Sequence, residues 1–165
     1  MLIRSELEND VATISLLVTE ALKILPQSTG TEARIVEALR TENALDLSLV
    51  AVENDEIIGY LAASDAHIGD QDGWSLIDPL VVLPSRRLQG IGSVLMKDAL
   101  DRLRKTKWGA VLVGDPNYYS RFGFRAFPKM TVAGCPPEVV QALPFDEVEP
   151  QGEVIHHQAF ALEKQ

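Results

Sequence analysis

The chain has 165 residues, long enough for one domain with a real core, and its 46% hydrophobic and 24% charged residues are those of an ordinary globular protein. A net charge of −9 argues against a nucleic-acid partner, and the single cysteine, Cys135, excludes an intramolecular disulfide and a multi-cysteine metal site. The opening MLIRSELEND has no basic segment leading into an apolar one, and no apolar run approaches a membrane span, so the expectation is a cytoplasmic protein without a membrane partner.

Leu2–Arg4 reads as a short first strand. Asn9 or Asp10 caps a helix in which Val11, Ile14, Val18, Ala21, Leu22 and Leu25 recur at helical spacing. Pro26 and the stretch Gln27–Gly30 end it, and Thr31 caps a second helix with Ile35, Ala38 and Leu39 inward. From Leu47 the period changes. LSLVAVE and IIGYLAAS flank Asn54-Asp55-Glu56, which reads as a β-hairpin. Gly69–Gly73 marks a turn, and Trp74–Leu83 is a third strand interrupted by Pro79. Proline cannot donate to a ladder, so Pro79 implies an edge, a bulge or a place where pairing stops.

A helix over about Gly90–Lys105 buries Ile91, Val94, Leu95, Ala99 and Leu103, and Gly109 ends it. The apolar AVLV at 110–113 then completes a strand–helix–strand unit whose strands are parallel. Pro116 opens a short helix holding Tyr118, Tyr119 and Phe122, stopped by Gly123. A strand near 125–132, a short helix at Glu138–Leu143 and a last strand at about Glu153–Leu162 follow. Repeats, low-complexity segments and linkers are absent from the sequence, so residues 1–165 read as one domain.

The stretch Leu80–Arg104 organises the rest. It joins a buried strand to a turn with Arg86 and Arg87, then to Gly90 and Gly92 at the start of a long helix. A helix start exposes unpaired N–H groups and the positive end of the dipole, and glycines let an anion approach the backbone. Charge agrees. Residues 83–125 carry 9 basic and 3 acidic side chains, net +6, whereas residues 1–82 carry −11 and residues 126–165 carry −4. Arg102, Arg104, Lys105 and Lys107 cluster at the helix C-terminus, where they complement the dipole; Arg86 and Arg87 precede the helix and need another reason.

These residues resemble a known family. Arg87-x-x-Gly90-x-Gly92 after the strand LVV matches the [QR]-x-x-G-x-[GA] signature of the GCN5-related N-acetyltransferases, and Tyr119, Gly123 and Phe124 match that family's Tyr-x-x-x-Gly-Phe segment. The combination looks like a bacterial branch of generic N-acetyltransferases, and the order of elements agrees across nearly the whole chain. The resemblance implies an α/β (α+β) fold: a mixed, mostly antiparallel sheet, flanked by helices, whose two central strands splay into a cleft for acetyl-coenzyme A. It implies cofactor binding by the turn Arg87, Leu88 and Gln89, with the pyrophosphate on the amides of Gln89, Gly90, Ile91, Gly92 and Ser93. The pantetheine arm lies along the backbone of Leu80, Val81 and Val82. It also implies an amine acceptor, small molecule or peptide, that attacks the thioester directly. Backbone N–H groups at Val82 or its neighbour stabilise the oxyanion, and Tyr119 protonates the leaving thiolate while contacting the cofactor. The family often forms dimers, so a homodimer is an expected arrangement.

Other residues carry weaker chemistry. Asp78 lies on the cleft strand, where the branch more often has a small residue, and is a candidate base. His67, with Asp65, Asp70 and Asp72 nearby, reads as an exposed loop or an acidic rim. His156 and His157 are consecutive in a strand, face opposite sides and cannot chelate one metal together. Metal-ligand spacing appears nowhere in the sequence. Two other function classes compete. A dinucleotide-binding module is opposed by Leu95 at the third glycine position, by the long turn before Gly90 and by the lack of further βαβ units. A P-loop is excluded because no Gly-Lys-Ser/Thr follows the glycines. A non-catalytic acyl-CoA sensor with the same fold stays open.

Overall fold

Among the residues that the computed structural model describes, 1–26 and 28–164, the chain forms eight strands and four helices linked by turns and 3-10 segments. Gln27, part of the expected helix stop, lies outside them. The strands are β1 Leu2–Ser5, β2 Leu45–Glu53, β3 Glu56–Ile68, β4 Gln71–Val82, β5 Gly109–Val113, β6 Met130–Thr131, β7 Val140–Pro144 and β8 Gly152–His156. The helices are α1 Val11–Leu22, α2 Glu32–Thr41, α3 Ile91–Leu103 and the single turn α4 Pro116–Tyr119. The sheet runs β1-β2-β3-β4-β5-β7 and is antiparallel except for the β4/β5 pair. β8 pairs with the far end of β3, over Ala66–Ile68, and with β6. This is the mixed, mostly antiparallel sheet that the resemblance implied.

Asn54 and Asp55 take positive φ of 51° and 63°, the left-handed pair that a two-residue hairpin turn requires, and Glu53 faces Glu56 across it. Alternation along β2 and β3 then feeds two cores. Leu49, Ala51, Leu61 and Ala63 face α3, while Val50, Tyr60 and Ala62 face α1 and α2. Both faces are covered, so these strands read as continuous apolar runs rather than polar-apolar alternation. Gly59 is the exception that positions the site. A Cβ there would lie 2.9 Å from Leu95 Cδ1 and 3.0 Å from Ile91 Cγ2, so the missing side chain lets the start of α3 press onto the sheet.

Several expectations are corrected. Val94 is 42% exposed, and Met96 and Leu100 are buried in its place. The helix has settled with Ile91 and Leu95 on Gly59, which turns Val94 outward. Gly109 does not stop α3; it opens β5 beneath the Trp74 ring. Glu138–Leu143 is not a helix. Val140–Pro144 pairs antiparallel with Gly109–Val113, so a long-range ladder overrides the local reading. The strand near 125–132 shrinks to Met130–Thr131 plus a bridge from Arg125 to Ala142. The last strand stops at His156. The His157 ring then accepts from the Ala159 N–H at 3.0 Å and turns the chain into the 3-10 segment Gln158–Lys164.

Candidate active site

The site begins where two strands part. β4 and β5 pair over Trp74–Leu76 and Gly109–Val111, and the ladder ends there. β4 stays with β3 to Val82, and β5 stays with β7 to Val113. Pro79 explains part of the departure. Leu61 faces Leu80 and Ala63 faces Ile77, so Asp78 and Pro79 bulge together opposite Ala62, one of the roles expected of that proline. The closed end of the V is pinned by a polar network. The Ser75 hydroxyl donates to Asp46 at 2.7 Å, and Lys107 reaches Asp46 at 3.2 Å and Asp65 at 2.9 Å. Burial alone would lower the Lys107 ammonium; the hydrogen bond it donates to Asp65 and the Asp46 charge outweigh that and hold it above its ordinary value. Lys107 therefore belongs to the scaffold, not to the solvated helix end expected for it.

Past the bulge, alternation decides which backbone groups face the opening. The Leu83 N–H donates to Ile58 O at 2.8 Å, and Val81 faces Tyr60 two residues before. In an antiparallel ladder such pairs alternate, so Val81 is turned to β3 and the N–H and C=O groups of Leu80 and Val82 are turned toward the cleft.

At the mouth sits the start of α3. Gly90 caps it with φ +80°, and a Cβ at that position would meet nothing within 4 Å. The Val94 N–H bonds Gly90 O at 3.1 Å, so Ile91, Gly92 and Ser93 carry the N–H groups that a helix start leaves without an intrahelical acceptor. No side chain caps them. Leu88 is fully exposed at φ +62°, and Gln89 is held by Arg86 Nε at 2.9 Å. Arg86 also pairs with Glu53, and Arg87 donates to Ala21 O at 2.8 Å. Both arginines are engaged within the chain, and they brace the turn onto the hairpin and onto the end of α1.

α4 closes the mouth. The Asp115 side chain accepts from the Asn117 N–H at 2.9 Å and starts it, and Gly123 ends the following turn at φ +98°. Tyr118 and Tyr119 meet edge to face at 4.9 Å, and Tyr119 meets Phe124 at 6.1 Å. The Tyr119 ring lies against Gly114 and packs on the α3 core. Burial, aided by Tyr118, Asp78 and Asp115, pushes its phenol up to about 12. A phenol is protonated at neutral pH at its ordinary value too; burial makes Tyr119 hold that proton more tightly. The Tyr118 hydroxyl sits 2.8 Å from where a Gly92 Cβ would be, with the Arg121 guanidinium 4.5 Å above its ring. Sequence spacing favoured Tyr119 and left Tyr118 aside; the fold puts Tyr118 over the helix start.

Behind the V opens a cavity of about 440 Å³, lined by Asp78, Val111 and Val113 from its two arms and by Cys135, Glu153 and His156 from the C-terminal part. Residues from 132–135 and 153–158 of the C-terminal part contribute to its lining, whereas α1, α2 and the 65–73 turn do not. His67 lies within β3 opposite Ile155 rather than on a loop, and Asp65 is taken by Lys107. His157 Nε2 is 3.0 Å from Glu42, so the two histidines do diverge. Among the described residues no cluster of His, Cys, Asp and Glu could hold a metal ion, and no helix is long and apolar enough to cross a membrane. The sequence offered no signal for Glu153, which only the folding of a distant segment onto the V brings in, and it marked Tyr118 only as the neighbour of Tyr119.

Comparison with known proteins agrees with this geometry. Residues 45–126 match the family model of the acetyltransferase (GNAT) domain. The uncharacterized N-acetyltransferase YhbS of Escherichia coli K12 is 36% identical over 127 residues, 75% of this chain and 73% of that protein. A GNAT family acetyltransferase from Brucella melitensis, solved in complex with acetyl-CoA, superposes with a TM-score of 0.85 at 39% identity, covering 96% of this chain and 97% of that one. YhbS of Escherichia coli, solved with CoA, gives 0.89 at 29% identity over 97% and 91%.

Proposed function

The chain belongs to the GNAT acetyltransferase family and is an acyltransferase, and from that premise we propose that it transfers acetyl from acetyl-CoA to a primary amine of a small molecule or peptide by direct attack. The observation that carries this reading is the parting of β4 and β5 with the uncapped start of α3 at its mouth. The cofactor fits the residues there: the N–H groups of Gly90, Ile91, Gly92 and Ser93 present a positive helix end to a diphosphate, and an open glycine surface lets it approach. Gln89, Leu88 and Arg87 shape the turn beneath it. Leu80 and Val82 offer the next strand partner's hydrogen bonds to a pantetheine arm, with Val81 anchoring them to β3.

Bound acetyl-CoA supplies an activated acetyl thioester. The Val82 N–H, turned into the cleft, is the donor for the oxyanion that forms on attack. Tyr119, a phenol protonated at neutral pH, gives a proton to the departing thiolate.

Calorimetry with acetyl-CoA and NAD, followed by thiol release across amines, amino acids, polyamines and peptides, tests this. Micromolar or tighter acetyl-CoA binding, no NAD binding, and thiol release with an amine are expected. NAD binding in preference would overturn the reading, and acetyl-CoA binding without thiol release from any acceptor would favour a sensor.

A further inference from the structure

The cavity behind the V has a chemical character that identifies its occupant. It has two carboxylates, Asp78 on one arm of the cleft and Glu153 on β8, and neither lysine nor arginine among its lining residues. Its walls are aliphatic and aromatic: Leu76, Val111, Val113, Val154 and Phe160. The two imidazoles at its rim are already engaged, His156 against the Phe160 ring at 4.9 Å and His157 with Glu42. The C-terminal segment around it carries −4, in contrast to the +6 of the segment that holds the helix start.

We propose that the acceptor is an aliphatic primary amine bearing a second positive charge, seated with its reacting nitrogen at Asp78 and its remote cation at Glu153. This rests on the acetyl-transfer reading above and names the substrate class of that site. The orientation follows from the strands: Asp78 lies on β4 two residues before Leu80, whose backbone faces the cleft, whereas Glu153 lies on β8, so the Asp78 end is the one beside the reacting thioester. An alkyl chain lies on the apolar walls, the reacting ammonium meets Asp78, and the remote ammonium meets Glu153 at the exposed end of the cavity. An anionic tail would meet Glu153 with no cation to offset it.

The chemistry balances. The ammonium gives a proton to Asp78, and the neutral nitrogen forms the bond to the acetyl carbon. The C–S bond then breaks, the sulfur takes the Tyr119 proton, and the new amide nitrogen loses its second proton. Tyr119 is reprotonated from that pool, so one proton is released per acetyl group transferred.

The test compares cadaverine, pentylamine and 5-aminopentanoate as acceptors by thiol release, with acetyl-CoA binding measured on the same protein. Cadaverine is expected to exceed pentylamine in kcat/KM by about tenfold, with 5-aminopentanoate poorest. Glu153→Gln should bring the cadaverine-to-pentylamine ratio toward one, and Glu153→Lys should reverse the order of cadaverine and 5-aminopentanoate. Turnover with equal preference, or a ratio unmoved by either variant, overturns the dication site and leaves acetyl transfer standing. Acetyl-CoA binding with no turnover of any of the three also overturns it. Failure to bind acetyl-CoA overturns the underlying reading itself.

Discussion

The arm of β4 with α3 and the arm of β5 with β7 and β8 face each other across one cleft and are built in opposite ways. The first is assembled from a single stretch of chain. Leu80–Ser93 runs from strand to turn to helix start, and its fit to the sheet depends on one glycine, Gly59, under Ile91 and Leu95. The second is assembled from pieces far apart. β7 returns from residue 140 to pair with β5, β8 crosses to β3, and the 3-10 segment after it folds back on α2 through Phe160 and Ile35. An arm made locally holds backbone groups in fixed relation, as recognition of an invariant diphosphate requires. An arm made from separate segments can change its lining without disturbing that relation.

Substitutions can break or sharpen this contrast. The largest effect is expected at Leu95, fully buried under the local arm: Leu95→Ala should cost about 2–5 kcal/mol in urea unfolding. Val132→Ala, on a partly buried lining residue of the other arm, should cost less than about 1 kcal/mol. Equal losses would erase the distinction between the arms.

Tyr119 stands between them. Tyr119→Phe should lower kcat by about 100-fold while calorimetry finds acetyl-CoA binding within about twofold. Unchanged turnover would remove Tyr119 from the reaction and direct attention to Tyr118.

Alkaline titration reads the same residue through stability. Burial pushes both Tyr119 and Tyr60 up to about 12, from about 10 in the unfolded chain. A folded pKa above the unfolded one stabilises below pH 10, and that contribution is lost as pH rises from 10 to 12. Unfolding midpoints should therefore fall across that window, and more gently in Tyr119→Phe; parallel slopes would show that the Tyr119 phenol is not buried as described.

The smallest effect is expected at Arg87. Its bond to Ala21 O braces the turn before Gly90, so Arg87→Ala should weaken acetyl-CoA binding by roughly fivefold with kcat unchanged. A drop of two orders of magnitude would instead indicate that the guanidinium leaves Ala21 and holds the anion directly.

The residue pattern was most legible where the physics is local. Hydrophobic period located α1, α2 and α3, and the Asn54-Asp55 pair located its hairpin, because a positive φ at two successive residues restricts the sequence directly. It was least legible where two distant segments had to meet. EVVQAL at 138–143 has no local property that says which strand it will join, and its burial beside β5 makes it a strand. Gly109 illustrates the same point, since a glycine after a helix reads as a stop until Trp74 is seen lying on it.

By itself, the sequence determined the helix start with its two glycines, the strand that leads into it, and the spacing from Tyr119 to Gly123, because turns, caps and positive φ are imposed by residues within a few positions of one another. Only the tertiary structure decided where β4 leaves β5, that Arg86 pairs with Glu53 and Arg87 with Ala21 O, that Tyr118 covers Gly92, and that Asp78 and Glu153 line one cavity. Those outcomes depend on which distant surfaces exclude water together, and no short run of residues encodes that choice.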